Sequence, residues 1–360
     1  CGGTIDPKYK DVVFSGANND SRKIKAGQLF IALQSERDGH DFIPQVAAKG
    51  ALGVVCEKTP KEEGIPYILV EDSFVALKKI AQFYREQLSV KVVGITGSVG
   101  KTSTKEFIAG VLSQKYSVLK TQGNFNNEVG LPLTVLSIRE DHQVAVLEMG
   151  ISDFGEMHRL SKIAKPDVCV ITNIGQCHLE NLGTREGILK AKSEIFDFMN
   201  PEGDIFVNGD DDMLSGIKPK TAKGVVHFGM EPSNEIYASD VINKGLLGSQ
   251  AVLHLGNYIF PIEIPLPGSH MVYNALAAAA VGNCLGLTKE EIKEGIAQVE
   301  AVGGRSHVIA LSERTIIDDC YNANPVSMKS AIDLLMMANG RKCVILGDMF
   351  ELGAQELALH

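Results

Sequence analysis

The segment that most constrains the fold is Gly94-Ile-Thr-Gly-Ser-Val-Gly-Lys-Thr-Ser103, which follows an apolar, β-branched run at residues 90–96. An amphipathic stretch, residues 102–112, comes next. A strand, a glycine-rich turn and a helix in this order are typical of a nucleotide-binding α/β domain. Glycines let backbone N–H groups converge on phosphate oxygens, and Lys101 supplies a mobile positive charge. The segment therefore predicts a phosphate-binding loop.

This loop departs from the usual glycine spacing. A glycine normally stands five positions before Gly100, where this chain has Ile95. A glycine turn followed by an ordinary surface lysine is the alternative, and the strand-loop-helix context disfavours it. Thr102 can offer its hydroxyl to Mg²⁺. The residues expected to contact nucleotide phosphates are Gly97, Ser98, Val99, Gly100, Lys101, Thr102 and Ser103.

The chain is too long for one hydrophobic core, since it has 360 residues. We predict a small α/β domain at residues 1–89, a central doubly wound, mostly parallel sheet at residues 90–304, and a partial third domain at residues 305–360. The predicted strands are residues 12–14, 29–32, 53–56, 67–70, 90–96, 144–147, 168–172, 204–207, 251–255, 258–264, 315–318 and 342–346. The predicted helices are residues 42–49, 75–88, 102–112, 186–198, 272–285, one after a capping box at Thr288 and Glu291, and 326–337.

Charge and cysteine usage exclude several classes of protein. A net charge of −9 argues against broad binding of nucleic acid or anionic membranes. The seven cysteines are scattered and form no CxxC pair, which fits reduced thiols in a cytosol. No apolar run approaches the roughly 18 residues of a membrane span, and no secretory signal opens the chain. We therefore expect a soluble cytoplasmic protein without membrane insertion.

The loop spacing Gly-x-x-Gly-x-x-Gly-Lys-Thr resembles that of the Mur ligase and folylpolyglutamate synthase superfamily. Further runs across essentially the whole chain resemble the Mur ligases that add D-alanyl-D-alanine. These runs are Asn19-Asp-Ser-Arg22, Gln122-Gly-Asn-Phe-Asn-Asn127, Glu148-Met-Gly150, Thr172-Asn-Ile-Gly175 with His178, Lys190-Ala-Lys-Ser-Glu194, Asp318-Asp-Cys-Tyr-Asn-Ala-Asn-Pro325 and Gly347-Asp-Met-Phe-Glu-Leu-Gly353.

The resemblance implies a three-domain architecture: an N-terminal domain that binds a UDP-linked substrate, a central ATP-binding domain and a Rossmann-like C-terminal domain. It implies ATP-dependent joining of D-alanyl-D-alanine to UDP-N-acetylmuramoyl-tripeptide through an acyl phosphate, with ATP and two Mg²⁺ ions. It also implies a monomer, a wide-open form without ligands, and a fragment whose relatives begin before Cys1 and continue past His360.

Besides Thr102, three residues are candidate metal ligands. Glu148 follows an apolar strand and would present a hard carboxylate at the carboxyl edge of the sheet, although a helix N-terminal charge is the alternative. His178 follows the next strand but could be a packing histidine. Lys192 could belong to a solvated helix face. The resemblance makes Glu148 and His178 ligands, and makes Lys192 a carbamylated lysine that binds the second Mg²⁺.

Other candidates are assigned by resemblance and keep simpler alternatives. His270 and Asn274 match adenine contacts, but Met271 stands where an asparagine is expected, and Asn274 could be a helix cap. Arg305 matches a hinge arginine near the ATP phosphates, or is a surface arginine. Asp319 matches an acidic residue that approaches the nucleotide. The substrate-side candidates are Ser21 and Arg22 for UDP, the amide-rich loop Asn124, Asn126 and Asn127, and Tyr321, Asn322 and Asn324 near the acceptor amine.

Those substrate-side assignments compete with loop capping at Ser21 and Arg22 and with a plain Asn-Ala-Asn-Pro turn. At the level of function, the alternatives are another ligase of the superfamily, a P-loop kinase or GTPase, and a nucleotide-sensing module without turnover. The runs that begin at Asp318 and Gly347 argue against other ligases of the superfamily.

Overall fold

The computed structural model describes residues 1–61, 64–219 and 223–360. Within these residues the strands are β1 (Thr4–Ile5), β2 (Ala17–Asn18), β3 (Leu29–Ile31), β4 (Gly53–Cys56), β5 (Tyr67–Leu69), β6 (Lys91–Thr96), β7 (Val118–Lys120), β8 (Val144–Glu148), β9 (Val168–Ile171), β10 (Asp204–Asn208), β11 (Val225–Gly229), β12 (Ile236–Asn243), β13 (Ser249–Leu255), β14 (Tyr258–Ile264), β15 (His307–Ala310) and β16 (Thr315–Asp318).

The α-helices of the same described ranges are α1 (Ile43–Ala48), α2 (Ser73–Glu86), α3 (Lys101–Leu112), α4 (Gly130–Val135), α5 (Glu156–Ala164), α6 (Leu179–Leu182), α7 (Arg185–Ser193), α8 (His270–Cys284), α9 (Lys289–Ala297), α10 (Pro325–Met337) and α11 (Glu356–Leu359). Short 3₁₀ helices lie at Pro7–Tyr9, Gly39–Phe42, Glu194–Phe196, Gly245–Leu247 and Gly353–Gln355.

The chain divides into two compact units, and the first contains residues 1–89 and 122–140. Its five-stranded sheet has the order β1-β5-β4-β3-β2 and is parallel except at β1. The Asp72 carboxylate caps α2 by accepting from the Val75 N–H at 2.9 Å. The Tyr84 hydroxyl donates to the Ile138 carbonyl at 2.6 Å. Residues 122–140 therefore pack with α2.

The second unit contains residues 90–121 and 141–360. Its nine-stranded sheet has the order β14-β13-β12-β11-β10-β9-β6-β8-β7. Neighbours from β7 through β12 are parallel, and β13 and β14 add antiparallel strands at one edge. Because β6 lies between β8 and β9, the strand order reverses there. Ligands of open α/β sheets bind outside the carboxyl ends of the strands at such a point.

Helices α3, α8 and α9 share a core with this sheet. Phe107, Val111 and Leu276 belong to one buried cluster with apolar residues of the strands. A side chain at Gly295 would collide with the backbone of α3 at Val111, so α3 and α9 approach closely only because position 295 is glycine. This packing holds the C-terminal half of α3 between the sheet and the helices α8 and α9.

Most predicted elements are confirmed, including the capping box of α9, but two predicted strands are wrong. Residues 12–14 form no strand: Val13 is 84% exposed, and the next strand of the sheet, β2, begins at Ala17. Residues 342–346 form no strand either, and Ile345 is 96% exposed. An apolar run becomes a strand only where a neighbouring strand supplies hydrogen-bond partners.

The residues after 304 begin with an antiparallel pair, β15 and β16, followed by α10. They belong to the second unit, and the predicted boundary at residue 305 stays a prediction. The mixed α/β class with a large, mostly parallel sheet is confirmed. No helix in the described part of the chain combines the length and the apolar character that a bilayer span requires.

Candidate active site

The glycine-rich loop connects the end of β6 at Thr96 to the start of α3. Gly97 has φ +148, and any side chain there would collide with Thr172. Gly100 caps α3 with φ +85, a left-handed conformation that glycine adopts without strain. Ile95 lies buried within β6, which explains why no glycine is needed at the departing position. The backbone N–H groups that begin α3 form an anion-binding helix N-terminus.

The segment after β9 holds this loop in place. The Val99 N–H donates to Asn173 Oδ1 at 3.0 Å, and the Asn173 amide returns a bond to the Val99 carbonyl at 3.0 Å. The Thr172 hydroxyl donates to the same carbonyl at 2.6 Å. Ser98 exchanges hydrogen bonds with Gly175. Thr172, Asn173 and Gly175 therefore position the loop, a role that sequence reasoning missed although their run was singled out.

Lys101 opens α3, and its ammonium group donates to the carbonyls of Gly97 at 2.8 Å and Ser98 at 3.3 Å. Burial lowers the pKa of Lys101, and the Glu148 carboxylate opposes that shift. Glu148 is the last residue of β8 and 1% exposed, so it is a strand-end carboxylate and not a charge at a helix start. The Glu148 N–H donates to Thr121 Oγ1 at 3.0 Å.

Lys192 lies in α7 with its side chain 0% exposed, which rules out the solvated-face interpretation. Its amino group has no hydrogen-bond partner among the described residues. Burial, with a smaller contribution from Lys101, lowers the pKa of Lys192 to about 8. A fully buried lysine without a counter-ion is costly unless it loses its charge or acquires a ligand.

His178 precedes α6 and has a left-handed backbone with φ 51. Its Nδ1 lies within ion-pair distance of the Glu351 carboxylate. Burial lowers the pKa of His178; Glu351 opposes the shift, and Lys192 and Lys101 add to it. The structure places Glu148 within electrostatic range of Lys101, and it places His178 and Lys192 within electrostatic range of each other and of Lys101.

A cavity of about 400 Å³ opens beside the loop. Predicted nucleotide residues line it, namely Val99, Gly100, Ser103, His270, Asn274, Arg305 and Asp319. Asn322, which we predicted on the acceptor side, lines the same cavity. Its volume falls within the range of small-molecule sites. The cavity and the loop form one continuous site on the second unit.

Residues 95–282 match the Mur ligase middle domain. That match covers more than half of the chain. The chain belongs to the Mur ligase family. It is 40% identical over 365 residues to the UDP-N-acetylmuramoyl-tripeptide--D-alanyl-D-alanine ligase of Bacillus subtilis strain 168, a match that spans 99% of this chain and 79% of the relative.

Solved structures of Mur ligases are similar to this chain in fold. A crystal structure of MurF from Acinetobacter baumannii matches with a TM-score of 0.89 and 36% identity over 95% of this chain and 76% of that one. A MurF ligase from Thermotoga maritima in complex with ADP matches with a TM-score of 0.86 and 33% identity over 97% of this chain and 81% of that one. The predicted family and its architecture are confirmed.

In this Mur ligase, Asn274 lies in the second turn of α8, whose cap is Ser269, so it is not a helix cap. Asn274 Oδ1 accepts from the Thr104 hydroxyl at 2.8 Å, and its amide donates to Met271 Sδ at 3.3 Å. Met271 is buried and serves as a packing partner for Asn274. Burial lowers the pKa of His270, opposed by Asp319.

The residues after 304 reach the same cavity. The Arg305 guanidinium lies over the Tyr321 ring, 4.0 Å from its centroid, so it is not a free surface arginine. Asp319 accepts from the Ser306 N–H at 2.8 Å. Asn324 is the N-cap of α10 and accepts from two backbone N–H groups, as the turn alternative requires. Its predicted substrate role stays a prediction.

The remaining candidates lie in the first unit, which is described by itself. The carbonyls of Ser21 and Arg22 accept from the Lys49 ammonium at 2.9 and 3.1 Å. The Arg22 side chain pairs with Asp20 at 2.9 Å. Asn127 Oδ1 caps the turn before α4 by accepting from the N–H groups of residues 129 and 130. The Asn126 N–H donates to the carbonyl of Asn124 at 2.7 Å.

A further set of residues that line the cavity was not predicted from the sequence. Asn208, the last residue of β10, lines the cavity together with Asp210, Asp211 and Asp212, which follow the strand. Asp210 accepts from the Tyr273 hydroxyl at 2.9 Å, and the Ile174 N–H donates to Asp211 at 2.8 Å. The available signal was their place directly after a predicted strand, at the carboxyl edge of the sheet.

Some of the candidate metal ligands fit Mg²⁺ without any chemical modification of the chain. Thr102 and Glu148 offer hard oxygens, which Mg²⁺ prefers, and both are buried. No group of three or more His, Cys, Asp or Glu side chains placed to hold a metal occurs in residues 1–61, 64–219 and 223–360. The unpartnered amino group of Lys192 becomes an oxygen donor only after chemical modification.

Proposed function

We propose that this chain is an ATP-dependent ligase that joins D-alanyl-D-alanine to UDP-N-acetylmuramoyl-tripeptide, giving UDP-N-acetylmuramoyl-pentapeptide, ADP and phosphate in peptidoglycan precursor synthesis. The observation that carries the proposal is the cluster of Lys101, Glu148, His178 and Lys192 at the phosphate-binding loop. Relatives that match nearly the whole chain bear this substrate pair in their names.

The chemistry has two steps. The terminal carboxylate of the tripeptide attacks the γ-phosphorus of ATP, the bond to the β,γ-bridging oxygen breaks, and ADP leaves with an acyl phosphate formed. The free amine of D-alanyl-D-alanine then attacks the acyl carbon, and phosphate leaves as the amide forms and the nitrogen loses a proton. Lys101 and the N–H groups that begin α3 stabilise the charge that develops on the phosphoryl oxygens.

Two Mg²⁺ ions would neutralise charge on the phosphate oxygens when bound. Thr102 and Glu148 would hold the first, and His178 and Lys192 the second. For Lys192 this requires carbamylation: the neutral amine attacks CO₂, an N–C bond forms, one proton leaves, and an anionic carbamate results. Burial supports this reaction because it lowers the pKa of Lys192 to about 8, which raises the neutral fraction near physiological pH.

Lys190 provides a matched control for this role, since it lies in the same helix but is exposed. We expect Lys192→Ala to lose ligase activity by about 10²-fold or more, and Lys190→Ala to retain it. Added short-chain carboxylates should restore part of the Lys192→Ala activity by supplying the missing oxygen. Wild-type activity in Lys192→Ala would remove this residue from the metal site.

The remaining roles extend the proposal to binding. His270, Asn274, Arg305 and Asp319 bind ATP in the cavity. The substrate-side residues are Ser21, Arg22, Asn124, Asn126, Asn127, Tyr321, Asn322 and Asn324. We further propose that the protein is cytoplasmic and that it is a monomer. Light scattering of the purified protein tests its oligomeric state.

A substrate-omission assay separates the proposal from its rivals. We expect phosphate release only when ATP, UDP-N-acetylmuramoyl-tripeptide and D-alanyl-D-alanine are all present, together with a product whose mass equals that of the pentapeptide. A kinase or GTPase would release or transfer phosphate without D-alanyl-D-alanine, and a nucleotide sensor would bind ATP without turnover. Either result would overturn the proposed function.

A further inference from the structure

The segment from Met349 to Gly353 lies against α6, beside the candidate metal ligand that precedes that helix. Met349 and Leu352 are buried. The Glu180 N–H donates to the Glu351 carbonyl at 3.4 Å, and a side chain at Gly353 would come within 3.3 Å of the Glu180 backbone. The backbone of this segment is thus fitted closely to α6.

This contact joins two strained residues. Among the described residues, the non-glycine residues with positive φ are Lys165, His178, Asp240, Ser306 and Glu351. The left-handed conformation costs a non-glycine residue on the order of 1–2 kcal/mol. Strain of this kind clusters at functional sites, where surrounding contacts enforce it. His178 and Glu351 both carry it, and the Glu351 carboxylate lies against Nδ1 of His178.

We propose that Glu351 is a positioning residue for His178: its carboxylate binds Nδ1 and thereby presents Nε2 to the second divalent cation. This inference rests on the proposed function, because it assigns a partner to one of its metal ligands. A histidine that binds a metal through one ring nitrogen commonly donates its other N–H to a carboxylate, which fixes the tautomer and the ring orientation. Here the Glu351 carboxylate, from the third predicted domain, lies within ion-pair distance of His178 Nδ1.

The geometry distinguishes this role from direct ligation. The Glu351 carboxylate contacts the imidazole nitrogen itself, so the nitrogen that remains to face a cation is Nε2. The side chain of Glu351 is half exposed, whereas Lys192 and Glu148 are buried.

The first test reads the tautomer without any cation. Long-range ¹H–¹⁵N spectra of the full chain labelled with [¹⁵N]histidine report which ring nitrogen carries the proton, and His178→Ala assigns the signal. We expect the Nδ1–H tautomer at His178 in the wild type and in the control Glu180→Gln, which changes an exposed glutamate of α6. Glu351→Gln should shift the signal toward the Nε2–H tautomer or a mixture. An unchanged tautomer in Glu351→Gln would overturn the proposal.

The second test measures Mn²⁺ binding by the full chain with a non-hydrolysable ATP analogue present. The readout is the class of Mn²⁺ sites that His178→Ala removes. We expect Glu351→Gln to weaken that class about 10- to 100-fold and Glu351→Asp to recover part of the loss, as is typical of residues that orient metal ligands. In the His178→Ala background, Glu351→Gln should have no further effect, because the two residues act through one interaction.

The outcomes separate this inference from the proposed function. Wild-type ligase activity with equal Mn²⁺ affinity in wild type and Glu351→Gln would overturn the positioning role and leave the ligase intact. Complete loss of the Mn²⁺ class in Glu351→Gln, equal to that in His178→Ala, would make Glu351 a direct ligand and also overturn it. Absence of ligation in the wild type would instead defeat the proposed function.

Discussion

The phosphate-binding loop and the residues after 304 border the same cavity, yet they are built differently. The loop lies between a strand that is buried from Val92 to Thr96 and a largely buried helix, and residues of the run from Thr172 to Gly175 form hydrogen bonds with it. The strands after residue 304 form a sheet of only two strands. Much of the apolar surface of this region is exposed, for example at Ile345 and Phe350. The phosphate-binding loop thus lies in a buried part of the unit. The residues after 304 approach the same site from more exposed segments, and the contact of Glu351 with His178 is one example.

The largest expected effect is a loss of catalytic efficiency on substitution of Lys101 in the phosphate-binding loop. Lys101→Ala should lower kcat/KM for ligation by about 10²–10³-fold, because it removes a preorganised positive charge from the developing phosphoryl charge. The fold should survive, since the hydrogen bonds that the Lys101 ammonium makes to described residues go to carbonyls of its own loop. Circular dichroism and the omission assay measure both properties. Retained activity would show that the loop does not bind the reacting phosphate.

The second prediction compares burial directly, with isoleucines from the two regions. Ile95 is 0% exposed in β6, so Ile95→Ala should cost about 2–5 kcal/mol of the free energy of unfolding. Ile345→Ala should change it by no more than about 0.5 kcal/mol, because that side chain is already in solvent. Urea denaturation measures both. A similar cost at the two positions would contradict the contrast between the regions.

The same contrast explains which parts could be predicted from sequence. The strand, loop and helix around Lys101 were predictable because apolar pattern, glycine chemistry and helix start agree there. Residues 342–346 have the same apolar character, but whether they pair depends on neighbours that a local pattern does not contain. Residues 208–212 line the cavity because β10 ends beside β9, a relation that only the sheet order reveals. Glu351 was singled out within a run, but its contact with His178 joins segments far apart in the chain.

The third prediction concerns the buried charge at Lys192. The pKa of Lys192 falls from 10.5 to about 8 on folding, so the unfolded chain binds the proton more tightly. The penalty for burying the charge is fully present below pH 8, and it disappears as the pH rises from about 8 to 10.5. Lys192→Met should therefore stabilise the protein by up to about 3 kcal/mol at pH 7, since each pKa unit corresponds to 1.36 kcal/mol. The gain should shrink at higher pH.

Denaturation in CO₂-free buffer between pH 7 and 10 measures this difference, because carbamylation would otherwise stabilise the wild type. Lys190→Met is the control, since an exposed lysine should give no such pH dependence. A pH-independent difference between Lys192→Met and wild type would mean that Lys192 is not charged and buried in the folded chain. In that case the amine would already be neutral or solvated, and the argument for its reaction with CO₂ would lose its basis.

The smallest effect is expected at Asn324, in the region after 304. Its side chain accepts from the N–H groups of Val326 and Ser327 at 3.1 and 3.0 Å and so caps α10. Asn324→Ala should cost about 1 kcal/mol, whereas Asn324→Ser should keep the cap and most of the stability. If capping is the whole role, Asn324→Ser also keeps the wild-type KM for D-alanyl-D-alanine. A raised KM in this stable variant would instead show that the Asn324 amide contacts the acceptor. In that case the exposed residues after 304 bind substrate, as do the residues around the phosphate-binding loop.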